Sequence, residues 1–290
     1  MAITTGTYAE LSPQGQQISS YLENLVSERK IEVPMLPEVA SRVLALSNDP
    51  DSDAAQLANL IQGDQALAGH VMRIANSAAY TPNASMVSLQ QAIARLGMGV
   101  ISEISLVASL NSKMFNAPTF KGRISEIWAH ALCTALWGKE VARTSKRNVE
   151  ASFLCGLLHS IGRPVVLQSI FDYTKEHQLS LSIEEALALE QLYHVDFGVV
   201  VVEKWGMPST VQESVRSYQH YADAEGSVEQ AMVINAAALL ASEMLTSEES
   251  DYTEVLCDTV FADLNLYEDD IETLKLKDEV VISGLEAMRV

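Results

Sequence analysis

The sequence predicts an all-α, multi-helix bundle arranged in two lobes. Apolar residues recur at three- and four-residue spacing through nearly the whole chain, with few β-branched alternations. The 14 glycines and 8 prolines fall mostly between the periodic segments. A length of 290 residues, 48% of them hydrophobic and 20% charged, is enough for a sizeable core without covalent staples.

The first helix is expected over Gln16 to Lys30, with Ile18, Tyr21, Leu22, Leu25 and Val26 on one face. Val33-Pro34-Met35-Leu36-Pro37 breaks it, and Pro37 suits the first turn of a helix carrying Val39, Val43, Leu44 and Leu46. The turn cluster Asn48 to Asp53 caps a helix holding Leu57, Leu60 and Ile61. Gln65 to Ser77 follows, with Asp64 at its start; then come the loop Tyr80-Thr81-Pro82-Asn83 and a short helix over Leu89 to Leu96 capped by Ser88. Gly97-Met98-Gly99 separates it from an apolar helix over Val100 to Phe115.

Asn116-Ala117-Pro118 is the best internal boundary, dividing a lobe over residues 1–117 from a lobe over 118–290 that carries most of the histidines. A long helix over Gly122 to Thr144 comes next. Pro164 is expected to kink or restart the Leu154 helix. Further helices are expected over Ile183 to Tyr193, Phe197 to Trp205, Pro208 to Tyr221, Val228 to Leu245, Tyr252 to Leu264 and Asp270 to Met288. The acidic clusters Glu248-Glu249-Ser250-Asp251 and Glu268-Asp269-Asp270 read as solvated helix starts.

Composition narrows the function classes. A net charge of −19 opposes contact with a polyphosphate backbone, and the basic group Arg143, Lys146 and Arg147 reads as the last turn of a helix. No nucleic-acid partner is therefore expected. No stretch approaches the ~20 apolar residues of a membrane span, so no membrane role is expected either. The first residues lack the basic and apolar pattern of a signal peptide, and Cys133, Cys155 and Cys257 form no evident disulfide framework. Both features fit a cytoplasmic location. No Gly-rich phosphate loop, Ser-His-Asp arrangement or dinucleotide fingerprint is present, and no cofactor is expected.

One family resemblance is specific. Leu36-Pro37-Glu38-Val39-Ala40, Ile61-Gln62-Gly63-Asp64-Gln65-Ala66-Leu67, Arg73-Ile74-Ala75-Asn76-Ser77-Ala78 and Leu96-Gly97 resemble the N-terminal half of an HDOD domain. Downstream, Trp128-Ala129-His130, Gly156-Leu157-Leu158-His159-Ser160-Ile161-Gly162, Glu190, His194, Trp205-Gly206-Met207-Pro208 and His220 resemble its HD-like second half. The resemblance spans about residues 30 to 240.

HD-type phosphohydrolases hold divalent ions with an ordered His, His-Asp and Asp set, in which the carboxylates neutralise the ion and activate a water. The resemblance puts His130 and His159 at the first two positions. Ser160 then stands at the first aspartate and Asn235 at the last, while Arg163 stands where related enzymes often have lysine. A hydroxyl and an amide are poor ligands for hard cations.

The resemblance thus implies a vestigial metal site, formed by His130, His159, Ser160, His194, His220 and Asn235, in a non-catalytic signalling module. Its expected partners are proteins: a sensor kinase, a response regulator or a nucleotide-signalling enzyme. Two alternatives stay open. The four histidines His130, His159, His194 and His220 are able in principle to bind zinc, with Cys133 and Cys155 as soft neighbours, in a phosphohydrolase with an altered ligand set. The pocket is otherwise a site that binds a nucleotide without cleaving it.

The other candidates have simpler readings. Asp64 is expected as a helix cap and Arg73 and Asn76 as neighbours on one helix face, with an interface or ligand contact as the alternative for each, as for Arg163. Trp128 and Trp205 read as core anchors. His70 and His177 read as a helix-surface and a loop residue.

Overall fold

The computed structural model describes residues 11–81, 86–110, 114–246 and 252–288, and among these it contains helices and turns but no strand. The acidic cluster from Glu248 to Asp251 and the loop residues Pro82 and Asn83 lie outside the described residues.

Helix α1 (Pro13–Ser27) begins three residues earlier than expected, because the Ser12 hydroxyl accepts from the Gly15 amide and Pro13 occupies the first position. It ends at the left-handed Arg29, whose φ is 53°. Helices α2 (Glu38–Asn48), α3 (Ala54–Gln62), α4 (Gln65–Ala75), α5 (Leu89–Leu96) and α6 (Met98–Leu110) follow. Side chains cap three of them. Asp53 and Gln56 form a capping box on α3, Asp64 accepts from Leu67 N on α4, and Ser88 accepts from Gln91 N on α5. Met114 and Phe115, expected at the end of α6, are not helical.

A 3-10 turn at Pro118–Phe120 leads into α7 (Lys121–Thr144), the longest helix, which packs against α8 (Val149–Leu158) and α12 (Val228–Thr246). Helix α9 (Gly162–Glu176) lies along α10 (Ile183–Lys204). The two separate helices expected over Ile183 to Trp205 are thus one, since nothing between Tyr193 and Phe197 breaks the ladder. Helix α11 (Ser209–Ser217) passes into a 3-10 segment, Tyr218–Asp223. Beyond α12 lie a 3-10 turn at Val255–Cys257, then α13 (Thr259–Asp263), α14 (Glu268–Lys275) and α15 (Asp278–Met288). The helices expected over Tyr252 to Leu264 and Asp270 to Met288 are each interrupted.

Three close backbone approaches, two between α7 and α8 and one between α9 and α10, set the helix geometry here. A Cβ on Gly156 of α8 would stand 2.7 Å from Ala135 Cα of α7. One on Gly138 would stand 3.1 Å from the Ser152 carbonyl. One on Gly162 of α9 would stand 1.9 Å from the His194 carbonyl and 2.4 Å from Gly198 N on α10. Backbones approach this closely only where a side chain is missing.

Helix α1, expected in the first lobe, packs instead on α9 and α10. Ser19 and Tyr193 hydroxyls meet at 2.8 Å, and Lys204 and Trp205 donate to the carbonyls of Ile31 and Pro34. Trp128 and Trp205 are only partly buried, whereas Trp137 is fully enclosed.

Two helical stretches, Val149–Glu176 and Val228–Thr246, do reach the length and apolar content of a membrane span, contrary to the expectation of none. The first is 83% buried within the fold and is divided at His159–Ile161 into α8 and α9. Burial against α7 and α10 explains its apolar character.

Candidate functional site

The interruption between α8 and α9 is the local feature from which the site is built. Pro164 lacks an N–H and sits in the first turn of α9, where none is needed. Ahead of it the chain makes single turns, with Ile161 N donating to Leu158 O and Arg163 N to Ser160 O. His159 and Ser160 are thereby held at the junction, 2% and 3% exposed.

Three other elements converge there. Helix α7 presents Arg123, Ile127 and His130, spaced four and three apart on one stripe. Helix α12 presents Ser242, Leu245 and Thr246, and the segment after α11 presents Tyr218. With Arg163 and Gln191 these side chains line a cavity of about 520 Å³.

The rings of His130 and His159 lie 5.5 Å apart, and Tyr218 meets His159 edge-on at 4.9 Å. His159 Nδ1 donates to the Gly156 carbonyl at 2.6 Å, so Nε2 carries the lone pair. The Ser242 hydroxyl donates to the Ala238 carbonyl, so His130 Nε2 donates to Ser242 at 3.0 Å. His194 Nδ1 donates to the Gln191 carbonyl at 2.9 Å, and its buried Nε2 has no partner. The buried Ser160 hydroxyl also lacks one.

Beside the cavity, Glu190 is fully buried between two arginines. Arg123 grips it with Nε and Nη2, each at 2.9 Å, and Arg163 Nη1 donates at 2.6 Å. Arg163 Nη2 continues to Gln191 at 2.9 Å. Burial works to raise the Glu190 pKa, but the hydrogen bonds from Arg123 and Arg163 outweigh it and hold the carboxyl below its ordinary range.

The histidines shift the other way. Burial and then Arg163 lower both His130 and His194 to about 4. Burial and then His130 push His159 well below its ordinary value. All three rings are neutral at pH 7.

The structure brings together His130, His159, Ser160 and Arg163, with buried His194 beside them on α10. It does not bring His220 or Asn235 into the cavity lining. His220 is exposed on the 3-10 segment, where its backbone leaves helical geometry. Asn235 donates to the Tyr218 carbonyl at 2.9 Å and supports that residue from outside. Two turns further along α12, Ser242 is the side chain that meets His130.

Asp64, Arg73 and Asn76 also lie outside this lining. Asp64 caps α4, and Arg73 reaches His70 on an exposed face at 3.3 Å. Asn76 ties the Met86 backbone to the end of α4 through both its amide atoms. Cys133 and Cys155 are core thiols directed at Met244 and the Thr210 carbonyl.

Arg123, Glu190, Tyr218 and Ser242 were not among the site residues expected from sequence. Arg123 lies two turns before His130 and Glu190 one turn before His194, which places each on the helix face of a histidine. That spacing was the available signal for Arg123, and Glu190 also stood among the residues that carry the family resemblance.

The donors present do not fit a divalent cation. No set of three or more His, Cys, Asp or Glu side chains gathers as a metal site among the described residues. One imidazole N–H is committed to Ser242, Ser160 offers a hydroxyl, and the buried carboxylate is held by two guanidiniums.

The HDOD domain family model matches residues 33–221, well over half the chain. A solved structure from Shewanella amazonensis, provisionally named a metal-dependent phosphohydrolase, superposes with a TM-score of 0.73 at 21% identity, covering 96% of this chain and 100% of that one. An HDOD domain protein of unknown function from Geobacter sulfurreducens gives 0.67 at 18% identity, with 94% and 97% covered. A protein from Marinobacter aquaeolei, provisionally named in signal transduction, gives 0.65 at 20%, with 97% and 68% covered. Among curated proteins, an uncharacterized protein of Treponema pallidum is 21% identical over 204 residues, 67% of this chain and 39% of that one. The chain thus spans about two fifths of that relative's length. These likenesses establish the fold, and the family match establishes the lineage: the chain belongs to the HDOD domain family.

Proposed function

We propose that the chain is a non-catalytic regulatory module of signal transduction, acting through protein contacts in the cytoplasm. Its partner is of the signalling class: a sensor kinase, a response regulator or a nucleotide-signalling enzyme. One observation carries this reading. Where an HD-type hydrolase presents anionic ligands to an ion, this cavity presents the Ser160 hydroxyl and two arginines, and its buried carboxylate is already paired with both. A cation placed there would meet two guanidiniums and neutral donors, with Glu126, exposed at the rim, as the one carboxylate in the lining.

The competing reading is a phosphohydrolase with an altered ligand set, which the name of the Shewanella neighbour favours. Metal analysis of the purified protein, with hydrolysis assays on phosphodiesters and phosphomonoesters under added manganese, iron or zinc, separates the two. The expected result is no stoichiometric metal and no turnover. Turnover that disappears in His159→Ala would overturn the non-catalytic reading.

A further inference from the structure

A second cavity, of about 470 Å³, opens between α2, α6, α8 and the start of α11 and shares no lining residue with the one around His159. Helix α6 contributes Met98, Gly99, Ser102, Glu103 and Leu106, which lie on one stripe. Leu44, Phe153, Leu154 and Val211 face them, so the walls are mainly apolar. No Lys, Arg or His side chain stands among the lining residues described.

Helix α6 carries three buried serines, and two of them bond back onto their own helix. Ser105 donates to the Ile101 carbonyl at 2.7 Å and Ser109 to the Ser105 carbonyl at 2.8 Å. Ser102 does not. It is 7% exposed, lines the cavity, and its hydroxyl has no hydrogen-bond partner. A buried hydroxyl that the protein leaves unpaired is an atom for a ligand to satisfy.

Two carboxylates accompany that hydroxyl. Glu103 Oε2 accepts from Lys139 at 2.5 Å, while its Oε1 accepts from no group among the described residues. Lys139 stands outside the lining, over the Phe153 ring at 5.3 Å. Glu150 reaches across from α8: its Oε1 would stand 3.3 Å from a Cβ on Gly99, one turn before Glu103. It is exposed at the rim and has no ion-pair partner among the described residues. The other cation that Glu103 feels, Arg143, is paired with Glu140. The pairs Glu103–Lys139 and Glu140–Arg143 balance, which leaves the charge of Glu150 over.

We propose that this cavity is a binding site for a small organic amine, its protonated amino group between Ser102, Glu103 and Glu150 and its apolar body along Leu44, Leu106, Phe153 and Val211. An ammonium group offers three donors and no acceptor, which matches a lining whose uncommitted polar atoms include the carboxylate oxygens of Glu103 and Glu150. An anion would meet two carboxylates with no cation in the lining to hold it. A hydrocarbon without a polar head would leave Ser102 unpaired. The volume is within the range of small-ligand pockets.

Calorimetric titration of the full chain at about 0.15 M salt, where long-range attraction to the acidic surface is screened, tests this. The probes are 4-phenylbutylamine, 4-phenylbutan-1-ol, 4-phenylbutanoate and methylamine. The phenylbutylamine is expected to bind at least fivefold more tightly than the alcohol, and at least tenfold more tightly than the carboxylate or methylamine. Glu150→Gln, at an exposed position, should weaken the amine at least threefold and leave the alcohol unchanged. Ser102→Ala should weaken the amine about threefold. Gly99→Leu fills the cavity from a helical position whose Cβ meets no more than the Glu150 carboxylate, and should weaken amine and alcohol alike at least tenfold.

Failure of folded wild-type protein to bind the phenylbutylamine overturns the inference, as does equal affinity for the carboxylate. Amine binding that Gly99→Leu leaves intact would be attraction to the acidic surface at large and overturns it too. Full affinity in Ser102→Ala and Glu150→Gln alike would overturn the placement of the amino group.

Discussion

Two regions of this molecule bury a carboxylate beside a cavity, and they treat it oppositely. Under α9, Glu190 is gripped by Arg123 and Arg163, and three hydrogen bonds hold its pKa below the ordinary value despite burial. In the cleft lined by α2, α6 and α8, Glu103 of α6 meets the single ammonium of Lys139 on α7 at 2.5 Å, and both side chains are 11% exposed. There burial outweighs Lys139, and the Glu103 pKa is raised. The two sites carry the same kind of charge at similar depth. Two planar guanidiniums satisfy several carboxylate lone pairs, and one ammonium does not. The number and geometry of donors decide whether a buried acid stays ionised.

Helix packing differs in the same direction. Beside the first site Gly162 has no room for a side chain. In the cleft a Cβ on Gly99 would meet only the end of the exposed Glu150 side chain at 3.3 Å. The largest expected effect follows from this contrast. Gly162→Ala should cost on the order of 4 kcal/mol or more and leave little folded protein, because backbone atoms of α10 stand where the methyl would go. Gly99→Ala should stay within about 1 kcal/mol. Denaturant melts of both variants check this, and equal effects would remove the contrast.

Charge removal sharpens it next. Glu190→Gln leaves two arginines facing a neutral group, with an expected loss of about 3 kcal/mol. Glu103→Gln gives up one contact but also the desolvation cost of a poorly compensated carboxylate, with an expected loss nearer 1 kcal/mol. Urea midpoints should order the two variants that way. A loss from Glu103→Gln as large as that from Glu190→Gln would break the comparison.

The third effect is in pH dependence, spread over several pH units. His130 and His194 titrate near 4 in the fold against 6.5 for the ordinary group, so the unfolded chain binds more protons between those values. Their share of stability is complete above pH 6.5 and is lost as the pH falls toward 4. For His194, which is 3% exposed, the loss is on the order of 2–3 kcal/mol over that window. Glu103 has the opposite sign. Its folded pKa lies above the ordinary 4.5, so its share is present below 4.5 and declines as the pH rises through the folded value. Thermal melts between pH 7.5 and 5 should show a falling midpoint, and His194→Gln should flatten the curve. An unchanged midpoint over that range would contradict the neutral-histidine description.

Local chemistry was legible in the chain where it acts over a few residues. The helical period located most helices, and Ser88 and Asp64 marked helix starts through their own side chains. The motif from Gly156 to Gly162 singled out His159 and Ser160, and α7 carried His130 to the same cavity. Boundaries failed where no strong breaker stands, as in the continuous α10, or where the apolar period ran across a turn, as between α14 and α15.

What the sequence by itself determined is therefore the all-α class, the order of most helices, and the pair of histidines with a serine beside one of them. Periodicity and caps act within one turn, so a linear chain displays them. Only the tertiary structure decided that Glu190 lies between Arg123 and Arg163, that Ser242 and not Asn235 meets His130, and that His220 faces solvent. Those outcomes depend on how far two helices approach and at what rotation. Gly162 and Gly198 set that approach for α9 and α10, across a separation of 36 residues that no local pattern spans.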